Sequence, residues 1–233
     1  MIPLASIAVI PARSGSKRIP MKNFVQVEGE LLVNRAINLA LSCEIFDEII
    51  VSVDSEKSAD LISKSNSAVK IHFRNEALGS DYAKTINVVN EVIINRKVDK
   101  TAVVCCLYAT SILLNKERIM QGLSLLRINR DCFIFAAQES FSNPLRMFSI
   151  NTNQNTLTFL NEKYLDSNTQ DLTRFYADAG QFYWATSSTW TSEEQIIKST
   201  SVPLVLRKWE TIDIDSPEDL EIARSLVKLQ GGI

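Results

Sequence analysis

Short β-branched runs alternate with longer amphipathic ones along this chain, and that rhythm limits its fold more than any other feature. SIAVIPA leads into a helical stretch from Leu31 to Cys43, DEIIVSVD into one from Glu56 to Asn66, and VKIHF into one from Tyr82 to Asn95. TAVVCCLY, Lys116 to Ile128 and CFIFAA continue the series. Short apolar runs bounded by polar turns read as buried strands, and the longer periodic segments as helices. Strand, helix, strand in this order predicts parallel strands joined by helical crossovers, hence an open three-layer α/β sheet. Such sheets bind ligands beyond the C-terminal ends of their strands, so the loops that follow strands are where chemistry is to be sought.

From Gln138 to Ala179 the rhythm breaks into NPLRMFSI, the polar tract NTNQNT, TFLNEKY and DSNTQDLTRFYADAG. It resumes with QFYWAT, SVPLVL and a last helix from Pro217 to about Leu229. Residues 1–137 and 180–233 are therefore expected to form the core, and 138–179 an inserted arm of hairpin-like strands and loops. Phe141, Leu145, Met147 and Phe148 give that arm apolar surface which a small appendage cannot bury alone.

The first post-strand loop is VIPARSGSKRIPMKN, Val9 to Asn23, where Arg13, Lys17, Arg18 and Lys22 fall within ten residues. With 25 basic and 27 acidic residues overall, the chain has no general basic field of the kind that grips nucleic acid or anionic membrane. A local anion site fits better. The loop carries neither G-x-x-x-x-G-K-[ST] nor G-x-G-x-x-G. It offers instead a Ser14-Gly15-Ser16 turn, in which Gly15 is expected to let backbone amides converge, and cations that fork or point at phosphate oxygens. An ordinary solvated basic loop is the plainer alternative.

A second feature is TIDIDSPEDL, Thr211 to Leu220. Ser216, Pro217 and Asp219 are accounted for by helix initiation. Asp213 and Asp215 are not. Two residues apart at a strand end, they would face the same way, and their repulsion calls for a cation. Carboxylates together with substrate phosphates are the usual holders of Mg²⁺. A phosphate loop and paired carboxylates on one sheet edge point together to phosphoryl or nucleotidyl transfer.

VIPARSGSKRIPMKN, FDEIIVSVDS, HFRNEALGSDYAKT, CCLYATSIL and TIDIDSPEDL, in that order, resemble the motifs of the CMP-sialic acid synthetase family of cytidylyltransferases. TQDLTRFYADAGQFYW is most similar to the branch of that family that acts on pseudaminic acid. The resemblance spans nearly the whole chain. It implies a Rossmann-like nucleotide-diphospho-sugar transferase fold with a mostly parallel sheet, and a reaction in which a nine-carbon 2-keto sugar acid attacks the α-phosphate of CTP and releases pyrophosphate. It further implies that Arg13 and Lys22 neutralise the triphosphate, with Ala12, Ser14, Gly15 and Ser16 lining it. Asn23, Arg74, Asp81 and Thr85 would hold the nucleotide, Asp213 and Asp215 the Mg²⁺. Tyr108, Thr110, Gln170, Tyr176, Gln181 and Tyr183 would read the sugar, and the arm would join two copies into a homodimer.

The chain departs from the family pattern at Ser14, where Gly is usual, and at Met21, often basic. Around the sugar it has Ala109, Ser111 and Ile112 in place of a Pro-Thr-Ala-Pro run, Ala177 at a histidine's place and Asn168 at an arginine's. Loss of a cation and an imidazole alters how a carboxylate or N-acyl group is read. Legionaminic, N-acetylneuraminic or eight-carbon acids are the alternative substrates, and a non-catalytic nucleotide-binding relative the alternative class. Gln181 and Tyr183 alternate with Phe182 and Trp184, so one pair faces the site and the other the core. Asp54 either caps the helix after it or faces the nucleotide, and His72 reads as structural. Cys43, Cys105, Cys106 and Cys132 lack metal or redox spacing, which fits buried thiols in a reducing cytoplasm. The opening MIPLASIAVIPA reads as core strand and not as a signal peptide, and no run reaches the ~18 apolar residues of a membrane span.

Overall fold

The computed structural model describes residues 5–63, 68–80 and 82–231. In chain order the strands and helices are β1 (Ser6–Ala12), β2 (Gln26–Val27), β3 (Glu30–Leu31), α1 (Leu32–Ser42), β4 (Glu48–Val53), α2 (Glu56–Ser63), β5 (Lys70–Phe73), α3 (Thr85–Asn95), β6 (Val103–Leu107) and α4 (Lys116–Ile128). There follow β7 (Ile134–Glu139), β8 (Phe148–Asn151), β9 (Thr156–Phe159), β10 (Tyr176–Thr186), α5 (Ser187–Ser192), β11 (Val202–Leu206) and α6 (Pro217–Gly231). The expected reach of α2 to Asn66 lies outside the described residues.

Seven strands form one sheet in the order β11-β7-β10-β6-β1-β4-β5. Every pairing is parallel except those of β10, which runs antiparallel to both β6 and β7. The strands are apolar on both sides because each face is covered. Ala8, Ile10, Val51, Val53, Cys105, Leu107, Phe182 and Trp184 pack with α1, α2 and α4. Ile7, Val9, Ile50, Val104, Cys106 and Tyr183 turn the other way, towards Ile86, Val89 and Val92 of α3 and Trp190 of α5. This period-two division places Phe182 and Trp184 in the core, where the Trp184 indole donates to Ile119 O at 3.2 Å. Gly122 of α4 crosses there so closely that a Cβ would stand 2.7 Å from Trp184, so only glycine fits.

The sheet enters the arm further than the sequence rhythm implied: Tyr176 pairs with Glu139 and Ala177 with Gln138. The arm's own structure is the β8–β9 hairpin, with single helical turns at Pro144–Arg146, Glu162–Tyr164 and Thr169–Asp171. Phe148 opposes Phe159, and Ile150 opposes Leu157. These four share one face of the hairpin, and Phe148, Ile150 and Leu157 are exposed. Cys43, Cys105 and Cys106 are buried and Cys132 partly so, all as free thiols.

Candidate active site

The C-terminal ends of β1, β4, β5 and β6 lie along one edge of the sheet because these strands are parallel. Their next residues, Arg13, Asp54, Arg74 and Tyr108, therefore come together. A cleft of about 530 Å³ opens there, lined among others by Arg13, Ser16, Lys17, Arg18, Lys22, Asn23, Arg74, Thr85, Tyr108 and Thr110. Five cations converge on it, although the chain as a whole is nearly neutral.

The loop after β1 is held from outside and not by amides converging on a ligand. Ser14 N donates to Asp54 Oδ1 and Oδ2, each at 2.9 Å, and Ser14 Oγ donates to Oδ2 at 3.1 Å. Ser16 N returns to Ser14 O at 2.9 Å. Two of the amides expected to cradle phosphate are thus engaged within the protein. Gly15 has an ordinary backbone conformation and room for a Cβ, so the turn itself does not require glycine. Arg13 Nη1 donates to Gly15 O at 3.2 Å, and Arg13 lines the cleft, where its charge would suit an anion. Ala12 is buried in the sheet.

Asp54 neither caps α2 nor faces the cleft. Ser55 Oγ caps that helix by accepting from Ser58 N at 3.3 Å, which frees Asp54 to anchor Ser14. Asn23 closes the loop from the other end, donating to Arg13 O at 2.9 Å. Between them Met21 takes a left-handed conformation, φ 52°, uncommon for a residue with a side chain. The turn it starts carries Lys22 towards the second feature.

Thr211 to Asp215 is extended but unpaired, and Ile214 between the two aspartates is fully buried. The strand end expected there is absent; Asp213 is exposed and Asp215 half-buried, near enough for the Asp215 charge to act on Asp213. Lys22 Nζ donates to Ile214 O at 2.7 Å and to Asp215 Oδ1 at 3.1 Å, and Arg18 Nη2 lies 2.8 Å from the same oxygen. Asp213 reaches solvent, yet partial desolvation first and the Asp215 charge second raise its carboxyl above the usual range. Two hard oxygen donors that repel each other suit a divalent cation. No third acidic, histidine or cysteine side chain is grouped with them among the described residues, so substrate oxygens and water would complete its shell. The capping box is formed: Asp219 N donates to Ser216 Oγ at 3.2 Å, and Ser216 N to Asp219 Oδ2 at 2.7 Å.

On the far wall Arg74, 9% exposed, donates to Ser52 O at 2.7 Å, and desolvation lowers its pKa. Its Nε is buried without a partner among the described residues. Asp81 lies outside the described residues. His72 is buried against Glu91, which also accepts from Asn75 N, so it braces the β5–α3 connection.

Thr85 Oγ1 and Tyr108 OH are 2.5 Å apart, and the Tyr108 ring meets Tyr183 edge to face at 5.5 Å. Tyr183 OH donates to Asp178 Oδ2 at 2.6 Å. Burial pushes the pKa of both phenols up, so they stay protonated donors. Behind this wall lies a second cavity of about 380 Å³, which shares Thr85 and Tyr108 with the cleft and adds Lys84, Asp178, Tyr183 and Glu194. Of the residues expected to read the sugar, Thr110 lines the cleft, Tyr183 the second cavity and Tyr108 both. Gln170 and Tyr176 are exposed on the arm side and line neither, and Gln181 is buried among backbone carbonyls. Lys84, Asp178 and Glu194 were not singled out from sequence; Lys84 and Asp178 lie within the DYAKT and DAG motifs, and Glu194 carries no sequence signal.

A family model described as cytidylyltransferase matches residues 7–224. The pseudaminic acid cytidylyltransferase of Campylobacter jejuni is 39% identical over 232 residues, covering 97% of each chain. The CMP-N,N'-diacetyllegionaminic acid synthase of Legionella pneumophila is 29% identical over 96% of each. Among solved structures, a CMP:2-keto-3-deoxy-manno-octonic acid synthetase complexed with CTP aligns with a TM-score of 0.69 at 16% identity, over 97% of this chain and 99% of that one. A 4-diphosphocytidyl-2C-methyl-D-erythritol synthase aligns at 0.70 and 12%, over 97% and 100%. At such identities these two establish the fold. The chain belongs to the cytidylyltransferase family.

Proposed function

We propose that this chain transfers CMP from CTP to pseudaminic acid. The observation that carries the reading is the match in sequence, 39% over 97% of the chain, to an enzyme named for that reaction, combined with a cationic cleft at the sheet edge. The anomeric hydroxyl oxygen forms a bond to the α-phosphorus, the bond from that phosphorus to the β-phosphate oxygen breaks, and pyrophosphate leaves. The hydroxyl proton passes to solvent.

Charge in such a transfer spreads over phosphoryl oxygens, so positioning and electrostatic stabilisation do most of the work. Arg13 and Lys22 face the triphosphate, with Arg18 and Lys17 adding field. Arg74, Asn23 and Thr85 hold the cytidine side. Asp213 and Asp215 would hold Mg²⁺, which when bound orients the α-phosphate and neutralises charge on the departing pyrophosphate. The sugar acid occupies the second cavity, with its anomeric centre presented past Tyr108; Asp178 and Glu194 suit hydroxyl groups, and Lys84 suits an anion or carbonyl. The protein acts as a homodimer through the apolar hairpin face, in the cytoplasm; among the described residues no helix is long and apolar enough to cross a membrane.

Pyrophosphate release tests the reading, with CTP, Mg²⁺ and pseudaminic, legionaminic and N-acetylneuraminic acids offered separately, and ATP, GTP and UTP as controls. The expected result is CTP-dependent release with pseudaminic acid, at least about tenfold above the other acids. Preference for another acid would mark Asn168 and Ala177 as signs of a changed pocket, and no release with any acid would overturn the reading.

A further inference from the structure

We infer that Gln181 is a positioning residue that sets the Asp213–Asp215 segment beside Lys22 and Arg18 of the cleft, and does not contact the sugar. The inference rests on the proposed reaction only for its kinetic readout. Gln181 is 1% exposed and lines neither cavity. It sits inside an irregularity in β10, where the register to β7 shifts between Asp178 and Tyr183, and follows Gly180, which adopts φ 58°. That conformation favours glycine and turns the next side chain out of the regular ladder.

From there Gln181 joins three loops that meet at the site. Its Nε2 donates to Ala179 O at 2.8 Å and to Ile212 O at 3.3 Å, so the amide ties the β10 irregularity to the residue before Asp213. The backbone carbonyl of residue 181 accepts from Tyr108 N at 3.0 Å and from Ser111 Oγ at 2.8 Å, a tie to the loop after β6 that does not depend on the side chain, while the side-chain Oε1 is buried without a partner among the described residues. The Thr211–Asp215 segment belongs to no strand and has no ladder to set its register. Among the described residues its hydrogen bonds to β10 are from this amide and, over a long 3.5 Å, from Thr211 Oγ1 to Ala179 O, while Ile214 is buried and its carbonyl is held by Lys22 Nζ. Three carbonyls around Nε2, counting Gly180 O at 3.4 Å, assign the amide's orientation, because the reverse would set oxygen against oxygen. A glutamine that met substrate would spend its polar atoms in the cavity; this one spends its donor on backbone.

The test compares wild type with Gln181→Met, which keeps the volume and removes the donor, and Gln181→Glu, which keeps the shape and sets an acceptor against the carbonyls. Amide hydrogen exchange across residues 211–216 in the protein without ligands should accelerate about tenfold in both variants. With CTP and pseudaminic acid, half-saturating Mg²⁺ should rise about five- to tenfold and kcat fall about tenfold, while KM for the sugar acid stays within twofold. Gln181→Asn, one methylene shorter, serves if the other two fail to fold, and should show the same pattern. A raised KM for the sugar acid with unchanged Mg²⁺ dependence and unchanged exchange would overturn the inference, as would variants equal to wild type. Absence of turnover in the wild type would sink the proposed reaction alone, since the exchange measurement still decides the role of Gln181.

Discussion

Arg13 and Asp54 divide the work of the first loop. The half-buried guanidinium lines the cleft, and Asp54 accepts three hydrogen bonds from Ser14 to hold the loop that presents it. Removing one preorganised donor to a developing phosphoryl charge costs roughly 3 kcal/mol of transition-state stabilisation. Arg13→Ala should therefore lower kcat/KM for CTP about 100-fold with little change in melting temperature, and steady-state kinetics with thermal melts will check both. Near-normal kcat/KM would return the loop to an ordinary basic turn. Asp54→Ala should lose both activity and stability, since the Ser14 amide and hydroxyl lose their acceptor and the loop its anchor. Arg13, Lys22 and the aspartate pair were legible because charge clustering and two-residue spacing are local. Asp54's role was not: its partner lies 40 residues away, and a strand-end aspartate before a helix looks like a cap until the pairing of β1 with β4 is known.

At the scale of elements, the strand and helix order was legible from apolar rhythm because each element packs on a covered sheet. The direction of β10 was not. QFYWAT is apolar on both faces, and a strand buried on both sides reads the same whichever way it runs. The helix α5 was missed for a different reason: SSTWTS has no apolar period, and it is fixed by the Thr186 cap and by Trp190 donating to Val104 O at 3.1 Å. One tie between elements holds the carboxylate segment from its N-terminal side. Arg118 of α4 grips Glu210 at 2.8–3.1 Å, and Arg207 N donates to the same carboxylate at 2.8 Å. Burial pushes the Glu210 carboxyl up, but these donors outweigh it and its pKa is lowered. A lowered folded pKa gives stability that is present above the unfolded value, ~4.3, and is lost as pH falls through the folded one. Glu210→Gln should therefore be less stable than wild type by about 2 kcal/mol at neutral pH, a mostly buried pair having lost one charge. Denaturation across pH 3 to 7 should show that gap closing in acid; a gap independent of pH would remove the charge from the explanation.

For the whole molecule, the inserted arm matters most. That the rhythm breaks was legible, as was the arm's apolar surface from composition, but not its bounds, since Gln138, Glu139, Tyr176 and Ala177 pair within the main sheet, nor the hairpin pairing that gathers Phe148, Ile150, Leu157 and Phe159 onto one face. In the proposed homodimer a second copy would cover this exposed face of a two-stranded sheet too small to be stable alone. Ile150→Lys with Leu157→Lys should convert a dimer to monomer in sedimentation equilibrium, and a double variant that still sediments as a dimer would move the interface elsewhere. Above all stands the claim that the cleft joins CMP to pseudaminic acid through attack of the sugar's anomeric oxygen. The most direct test is ³¹P NMR and mass spectrometry of the product formed from CTP, Mg²⁺ and pseudaminic acid carrying ¹⁸O at the anomeric hydroxyl. The account predicts one CMP-sugar per pyrophosphate, with the label retained in the bridge between phosphorus and the anomeric carbon. An unlabelled bridge, or consumption of CTP without a CMP-sugar, would contradict it.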